Sequence, residues 1–475
     1  MKIAPFLLIF FTGLSFSQNK QLLYGFSEIP QSLLLNPGGK ISENKGYFGI
    51  PLLSHLHLNI GSSGVSAYDL FADDGIDFNT KLENVVNNMK PEDFFTATQQ
   101  LEIFSGGFEF GNTHEKSEYL SFGLYQELDF IAYFPKDYAI LALEGNQSNI
   151  NKPFKLDHLS LSADVLSVFH VGYNKKVNSK FTYGVRGKIY SSIANINSVK
   201  NKGSFITVPG QNNIYNHVFD LDLEARTSGI ASLVDDNSEE DYDENENIKT
   251  IRKRLMFGGN LGLGMDLGFT YQITDQLTFD SSLLDIGFIR HSKDVESYKV
   301  KDRFVFEGVD PLIVPTEQGQ TADEYWTDIE EEFEDLFTVD TTATKYTTWR
   351  PVKFNASLNY AFGEKLSEDC NCIMEDSPYL NAVGAQLYAI KRPKSPQLAL
   401  TAYYYRRLFN GLRVKATYTI DSYSFNNIGL GLSAHLGGAN FYLMADNFIE
   451  YRNVYNVQSV SLQFGFNYIF NKNED

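Results

Sequence analysis

Residues 457–470 read Val-Gln-Ser-Val-Ser-Leu-Gln-Phe-Gly-Phe-Asn-Tyr-Ile-Phe. Val460, Leu462, Phe464, Phe466, Tyr468 and Phe470 alternate with Ser459, Ser461, Gln463, Gly465 and Asn467. A period of two assigns a β-strand with one apolar and one wet face. The same pattern recurs upstream. Leu412, Val414, Ala416, Tyr418 and Ile420 stand against Arg413, Lys415, Thr417, Thr419 and Asp421, and Ile428, Leu430, Leu432, Ala434 and Leu436 against Gly429, Gly431, Ser433, His435 and Gly437. Strands of this length behind an export signal predict an apolar side toward lipid and a wet side toward a lumen.

The export signal is read at the start of the chain. Lys2 supplies the positive end, and Ile3 to Phe16 form an apolar core too short to span a bilayer as a helix. Ser15 and Ser17 place cleavage before Gln18, and Gln in that position argues against a lipoprotein anchor. No later stretch offers the roughly 18 consecutive apolar residues of a transmembrane helix. Aromatic residues make up 14% of the chain, which suits the girdles of a membrane barrel. The net charge of −19 argues against a nucleic-acid partner. Asp235 to Glu246 carries eight acidic residues in twelve and reads, like Asp323 to Asp340, as a solvated loop.

Strand parity organises the rest. Gly437-Gly438 and Asn410-Gly411 are hairpin signals and fall on the side of short, periplasmic turns. Working backwards gives about 14 spanning strands, within a range of 12–16, starting at His55 to Ser62. The expected architecture is an all-β, transmembrane antiparallel β-barrel with long outer loops and one or two short helices. Residues 1–17 are the signal peptide, 18–53 an N-terminal periplasmic or plug segment, and 54–475 the barrel. Tyr47 to Leu53 is placed with the N-terminal segment. Asn213 to Arg226 is strand-like, but as a crossing it breaks the alternation. It is read as a projecting hairpin in an outer loop from Asn195 to Phe257. One helix is expected at about Thr80 to Asn88. A second follows the capping box Thr321-Ala-Asp-Glu324, with Trp326, Ile329, Phe333 and Leu336 as an apolar stripe able to pack on the rim or dock a partner.

Several passages resemble an uncharacterised family of Bacteroidota outer-membrane barrels. They are Gly262 to His291, and an early element with Pro30-Gln-Ser32 and Leu35-Asn36-Pro37. The pattern Asn427-Ile-Gly-Leu-Gly431, Ala445-Asp-Asn447 and Phe464-Gly-Phe-Asn-Tyr-Ile-Phe470 is similar to the PorP/SprF proteins, although Gly38-Gly39 stand where that group has Ala-Tyr. The resemblance implies an outer-membrane location and an association with type IX secretion, gliding or surface-protein assembly.

Candidate chemistry is sparse. Cys370 and Cys372 lie one residue apart and carry no assigned function. His55 and His57 share a strand face, as do Ser433 and His435, but neither pair has the further groups of a metal or hydrolase site. Asp241, Asp243 and Asn245 mimic a calcium loop that fails at Glu246, where Gly is required, and at Arg252. No cofactor and no catalytic residue is expected. Arg or Lys on the lipid face costs about 2–4 kcal/mol at mid-bilayer, so Arg413 and Lys415 are assigned inward. Arg186, Lys188, Asp266, Lys353 and Asp446 join them as lumen-facing candidates, either pairing across the lumen or lining a channel. Three functions follow from this reading. The first is a non-enzymatic envelope component whose partners are outer-membrane lipids and other envelope or secretion proteins. The second is a transport channel for hydrophobic small molecules resembling fatty-acid transporters. The third is an outer-membrane hydrolase.

Overall fold

The computed structural model describes residues 20–41, 44–113, 116–210, 215–233, 244–306, 338–364, 379–409, 411–423, 427–447 and 458–471. Among the described residues, twenty strands share one antiparallel sheet. They begin with β1 (Asn44–Gly49), β2 (Leu56–Ser62), β3 (Phe94–Thr113), β4 (Lys116–Tyr133), β5 (Phe154–Lys155) and β6 (Ser160–Lys176). Next come β7 (Phe181–Pro209), β8 (Tyr215–Ser228), β9 (Asn260–Gln272), β10 (Leu277–His291), β11 (Val295–Phe306), β12 (Asp340–Thr342), β13 (Tyr346–Trp349) and β14 (Lys353–Glu364). The series ends with β15 (Tyr379–Ile390), β16 (Gln397–Phe409), β17 (Leu412–Asp421), β18 (Asn427–Leu436), β19 (Ala439–Ala445) and β20 (Ser459–Asn471).

The sheet closes because β20 pairs with β19 on one edge and with β1 and β2 on the other, and both of these pair with β3. Fourteen wall positions complete the ring. One is shared by β1 and β2 and another by β13 and β14, which follow one another along β10. Closure leaves no strand edge in the wall, the condition for a sheet in hydrocarbon.

The side chains are arranged inside out relative to a water-soluble protein. Leu263, Leu398 and Leu400 are more than half exposed, whereas Thr401, Ser433, Ser461, Gln463 and Asn467 are fully buried. The apolar face of the alternation therefore points outward and the wet face inward. Two stacked sheets around a dry interior are excluded.

Turns at one end of the barrel are short. Thr274 Oγ accepts from Gln276 N and Leu277 N between β9 and β10. Leu436 pairs directly with Ala439 across Gly437-Gly438, and Gly437 takes the positive φ of 60° that a primed turn requires. The longer loops lie at the other end. They hold α1 (Ala67–Phe71), α2 (Phe78–Asn88), α3 (Lys136–Glu144) and α4 (Glu244–Lys253). The helix expected near Thr80 is α2, capped by Asp77, whose carboxylate accepts from Thr80 N. Lys81 of this helix pairs with Asp74, which precedes it, at 2.6 Å and holds that carboxyl below its usual pKa. The stripe Trp326, Ile329, Phe333 and Leu336, the calcium-like Asp241 and Asp243, the pair Cys370 and Cys372 and the stretch 1–17 read as a signal peptide all lie outside the described residues.

The expected projecting hairpin is present. β7 runs on past the wall to pair with β8, which pairs in turn with β11. One boundary is corrected. Residues 44–49, assigned to the N-terminal segment, form part of the wall, because β1 fills the seam between β20 and β3. The excursion between β1 and β2 splits one wall strand in two and leaves the parity of the ring intact.

Candidate functional site: a plugged lumen

The candidate site is the lumen, and most of it is occupied by the chain's own N-terminal segment, residues 20–41. Leu22, Leu23, Phe26 and Ile29 pack with Tyr442 and Met444 of β19. Leu33 joins Tyr47, Tyr119 and Ile469. A short 3-10 helix, Pro30–Leu34, lies between these contacts.

Such a segment carries many backbone carbonyls, and each must find a donor once buried. The wall supplies them from its wet face. Arg186 reaches Leu33 O and Leu34 O, and Lys415 Nζ donates to Tyr24 O at 2.6 Å. Asn174 Nδ2 donates to Pro37 O and Gly39 O, and Ser282 Oγ to Leu35 O. Gln31 exchanges two amide hydrogen bonds with Asn467, at 2.8 and 2.9 Å, and donates to Glu102. Glu28 accepts from Tyr405 Oη and pairs with Arg413 at 3.2 Å. Glycine makes room for the segment: a Cβ on Gly184 would collide with Pro37 O, and one on Gly268 with Asn36 Oδ1.

Beyond the segment, toward the long loops, the lumen is crossed by ion pairs. Asp266 holds Arg186 at 3.1 Å and Lys188 at 2.9 Å. Lys188 also pairs with Asp285 at 2.6 Å, which pairs with Lys353 at 2.8 Å. Glu127 accepts from Lys353 and from Arg350, and Arg350 reaches Asp164. Arg392 pairs with Asp129 at 2.8 Å. A chamber of about 90 Å³ remains, lined by Lys20, Glu127, Lys188, Asp285, Lys353 and Arg392 among others. Leu34, Leu35, Leu284, Tyr388 and Ile390 share the lining with these charged groups. Lys394 latches the loops above, donating to His158 O and Pro91 O.

Arg186, Lys188, Asp266, Lys353, Arg413, Lys415 and Asp446 all lie on the inward face, the last accepting from Ser461 Oγ at 2.7 Å. The first four form one connected ion-pair chain, Arg413 and Lys415 hold the N-terminal segment, and Asp446 stands apart. His55 and His57 are both buried; His55 Nδ1 lies 2.6 Å from Tyr442 Oη, and no cluster of metal-ligating residues occurs among the described residues. Ser433 Oγ accepts from Asn440.

Sequence reasoning missed Asp285, Glu127, Asp164 and Arg350. Asp285 sits at a β-bulge, where Leu283 faces Leu267 but Ile286 faces Met265, and its φ is 59°. The bulge turns its carboxylate inward and its N–H onto Asp266 Oδ1, a re-aiming that period-two counting does not register. Glu127 and Asp129 were within reach, since they alternate with Gln126, Leu128 and Phe130.

A closed antiparallel ring, greasy outside and wet inside, defines a β-barrel of the outer-membrane type. The chain belongs to a family of unknown function, DUF5723, whose model matches residues 38–446. No curated protein matches the sequence. Among solved structures, the chain is similar to the toluene transporter TodX of Pseudomonas putida, at 10% identity and a TM-score of 0.40, covering 97% of this chain and 100% of that one. It is similar to a FadL homologue of Pseudomonas aeruginosa, at 9% and 0.41, covering 96% and 98%. The translocator domain of the autotransporter NalP from Neisseria meningitidis gives 8% and 0.29, covering 90% and 88%. The barrel assignment rests on the strand pairing itself.

Proposed function

We propose that this chain is an outer-membrane barrel closed to through-flow, serving without enzymatic chemistry as an envelope component that presents its outer loops and projecting sheet to other proteins. The observation that carries this reading is the filled lumen. The N-terminal segment is stitched to the wall by at least six side chains, and the chamber of about 90 Å³ that remains is crossed by ion pairs. A route for hydrophobic small molecules needs a continuous opening, and the seated segment stands across it, so the channel reading is the weaker one. A role in type IX secretion, gliding or surface-protein assembly is the finer form of the proposal, and the PorP/SprF resemblance supports it.

Planar-bilayer recording of the purified barrel tests the reading. A closed component gives no steady conductance, and its detergent extract carries no apolar ligand inside the barrel. A stable open level in the unmodified protein, or a stoichiometric lumenal lipid seen by mass spectrometry, would favour transport.

A further inference from the structure

The seated segment turns one side to the wall and the other to the chamber above it. Residues 20–24 form a tight turn, in which Leu23 N and Tyr24 N both donate to Lys20 O. Leu22 and Leu23 pack with Tyr442 and Met444, while Lys415 Nζ holds the backbone at Gln21 O and Tyr24 O. The side chains of Lys20 and Gln21 line the chamber. Gln21 is 2% exposed, and neither its amide nitrogen nor its amide oxygen has a hydrogen-bond partner. Burying an amide with both ends open is costly, and a leucine would fill the same place without that cost. Lys20 Nζ likewise meets no hydrogen-bond or ion-pair partner among the described residues.

The charges around the chamber do not balance. Four cations line it, Lys20, Lys188, Lys353 and Arg392, against the three carboxylates of Glu127, Asp129 and Asp285. Each carboxylate is already committed. Asp285 holds Lys188 and Lys353, Glu127 holds Lys353 and Arg350, and Asp129 holds Arg392. Lys20 is the charge left over. Water meets the open amide of Gln21 but brings no negative charge to Lys20. Leu34, Leu35, Leu284 and Ile390 give the same chamber an apolar side. At about 90 Å³ it is smaller than the roughly 150 Å³ cavity that takes benzene, so its occupant has about four or five non-hydrogen atoms.

We propose that the chamber is a binding site for a small hydroxycarboxylate of the size of glycolate, which arrives from the loop side. Its carboxylate accepts from Lys20 Nζ and from the Gln21 amide nitrogen, the first of these a charge-assisted hydrogen bond. Its hydroxyl donates to the Gln21 amide oxygen, and its carbon chain lies against the leucines. Both open ends of Gln21 and the surplus charge of Lys20 are then matched by one molecule. A halide or nitrate has no donor for the amide oxygen, and a metal cation adds to the surplus charge. A long acyl chain exceeds the volume. The site goes beyond the closed-component reading, because the ligand rests on the seated segment and does not pass it.

Saturation-transfer NMR on the purified full-length barrel, with glycolate as the probe, tests the site. Glycolate gives a saturable signal. Acetate, which lacks the hydroxyl, displaces it only at about ten-fold higher concentration, the effect of one hydrogen bond of ordinary strength. Ethylene glycol, which lacks the charge, does not displace it. Lys20→Met weakens glycolate about ten-fold or more, and Gln21→Leu removes the preference over acetate, while both barrels keep their heat-modifiable mobility. Absence of a saturable signal, equal affinity for acetate, displacement by ethylene glycol, or an affinity indifferent to both substitutions overturns the proposal. Where a variant fails to fold, the comparison of the three ligands on the unmodified protein decides. Passage of glycolate through the unmodified barrel into liposomes would instead overturn the closed lumen.

Discussion

The last strands of the wall, Leu412 to Asn471, and the lumenal segment, Lys20 to Ile41, sit against one another yet are specified in opposite ways. In the wall, each strand's backbone is satisfied by its neighbours, so sequence has only to choose a face, and strict alternation suffices. The lumenal segment has no ladder. Its carbonyls are met one at a time by Arg186, Lys415, Asn174 and Ser282 from distant strands, and its apolar residues by Tyr442 and Met444. A repeated rule builds the wall, while a set of individual fits builds the plug. Damage to the wall should therefore act through lipid, and damage to the lumen through lost partners.

The largest expected effect is on the ion-pair chain. Asp266→Ala removes the carboxylate partner of Arg186 inside the lumen and leaves Lys188 with Asp285 alone, and breaking a buried pair from one side costs about 3–5 kcal/mol. A urea titration of the folded, heat-modifiable form in liposomes would register it; a loss no larger than that of a surface substitution would show the lumen to be well hydrated. Next is the lipid face. Val383→Arg, near the middle of β15, should cost about 2–4 kcal/mol, while Val383→Ile stays close to wild type in the same titration. Smaller and more local is Lys415→Met. It removes a charged donor from Tyr24 O, costs about 1.5–3 kcal/mol, and should speed hydrogen exchange in residues 21–29 while leaving β17 and β18 protected. The smallest is Asp77→Ala, where loss of the cap on α2 costs about 1 kcal/mol and shows only as faster proteolysis of that loop.

How much was legible follows from the same contrast. The hairpins at Gly437-Gly438 and Thr274-Asp275, the inward Arg413 and Lys415, the ring of 14 and the projecting strand past Asn195 were all readable, because each obeys period two or a known turn chemistry. Two things were not. The bulge at Asp285 shifts a carboxylate to the other face, and the turn at Ile50–Leu53 separates the first half of the first wall strand, residues 44–49, from the half that alternation marks. The glycines at 184 and 268 were visible only as gaps in a wet face. Their purpose, close approach to Asn36 and Pro37, depends on residues far away in the sequence. Lumenal partners of this kind leave no periodic trace.

The occupied lumen is tested most directly by cross-linking Gln31→Cys to Asn467→Cys in a Cys370→Ser, Cys372→Ser background, on intact cells. With the segment seated in the lumen against β20, the two thiols are joined by a short bifunctional maleimide in nearly every folded molecule, and the conductance of the linked barrel stays at zero. Free thiols at both positions in a correctly folded, heat-modifiable barrel would contradict the plugged lumen and reopen the channel reading.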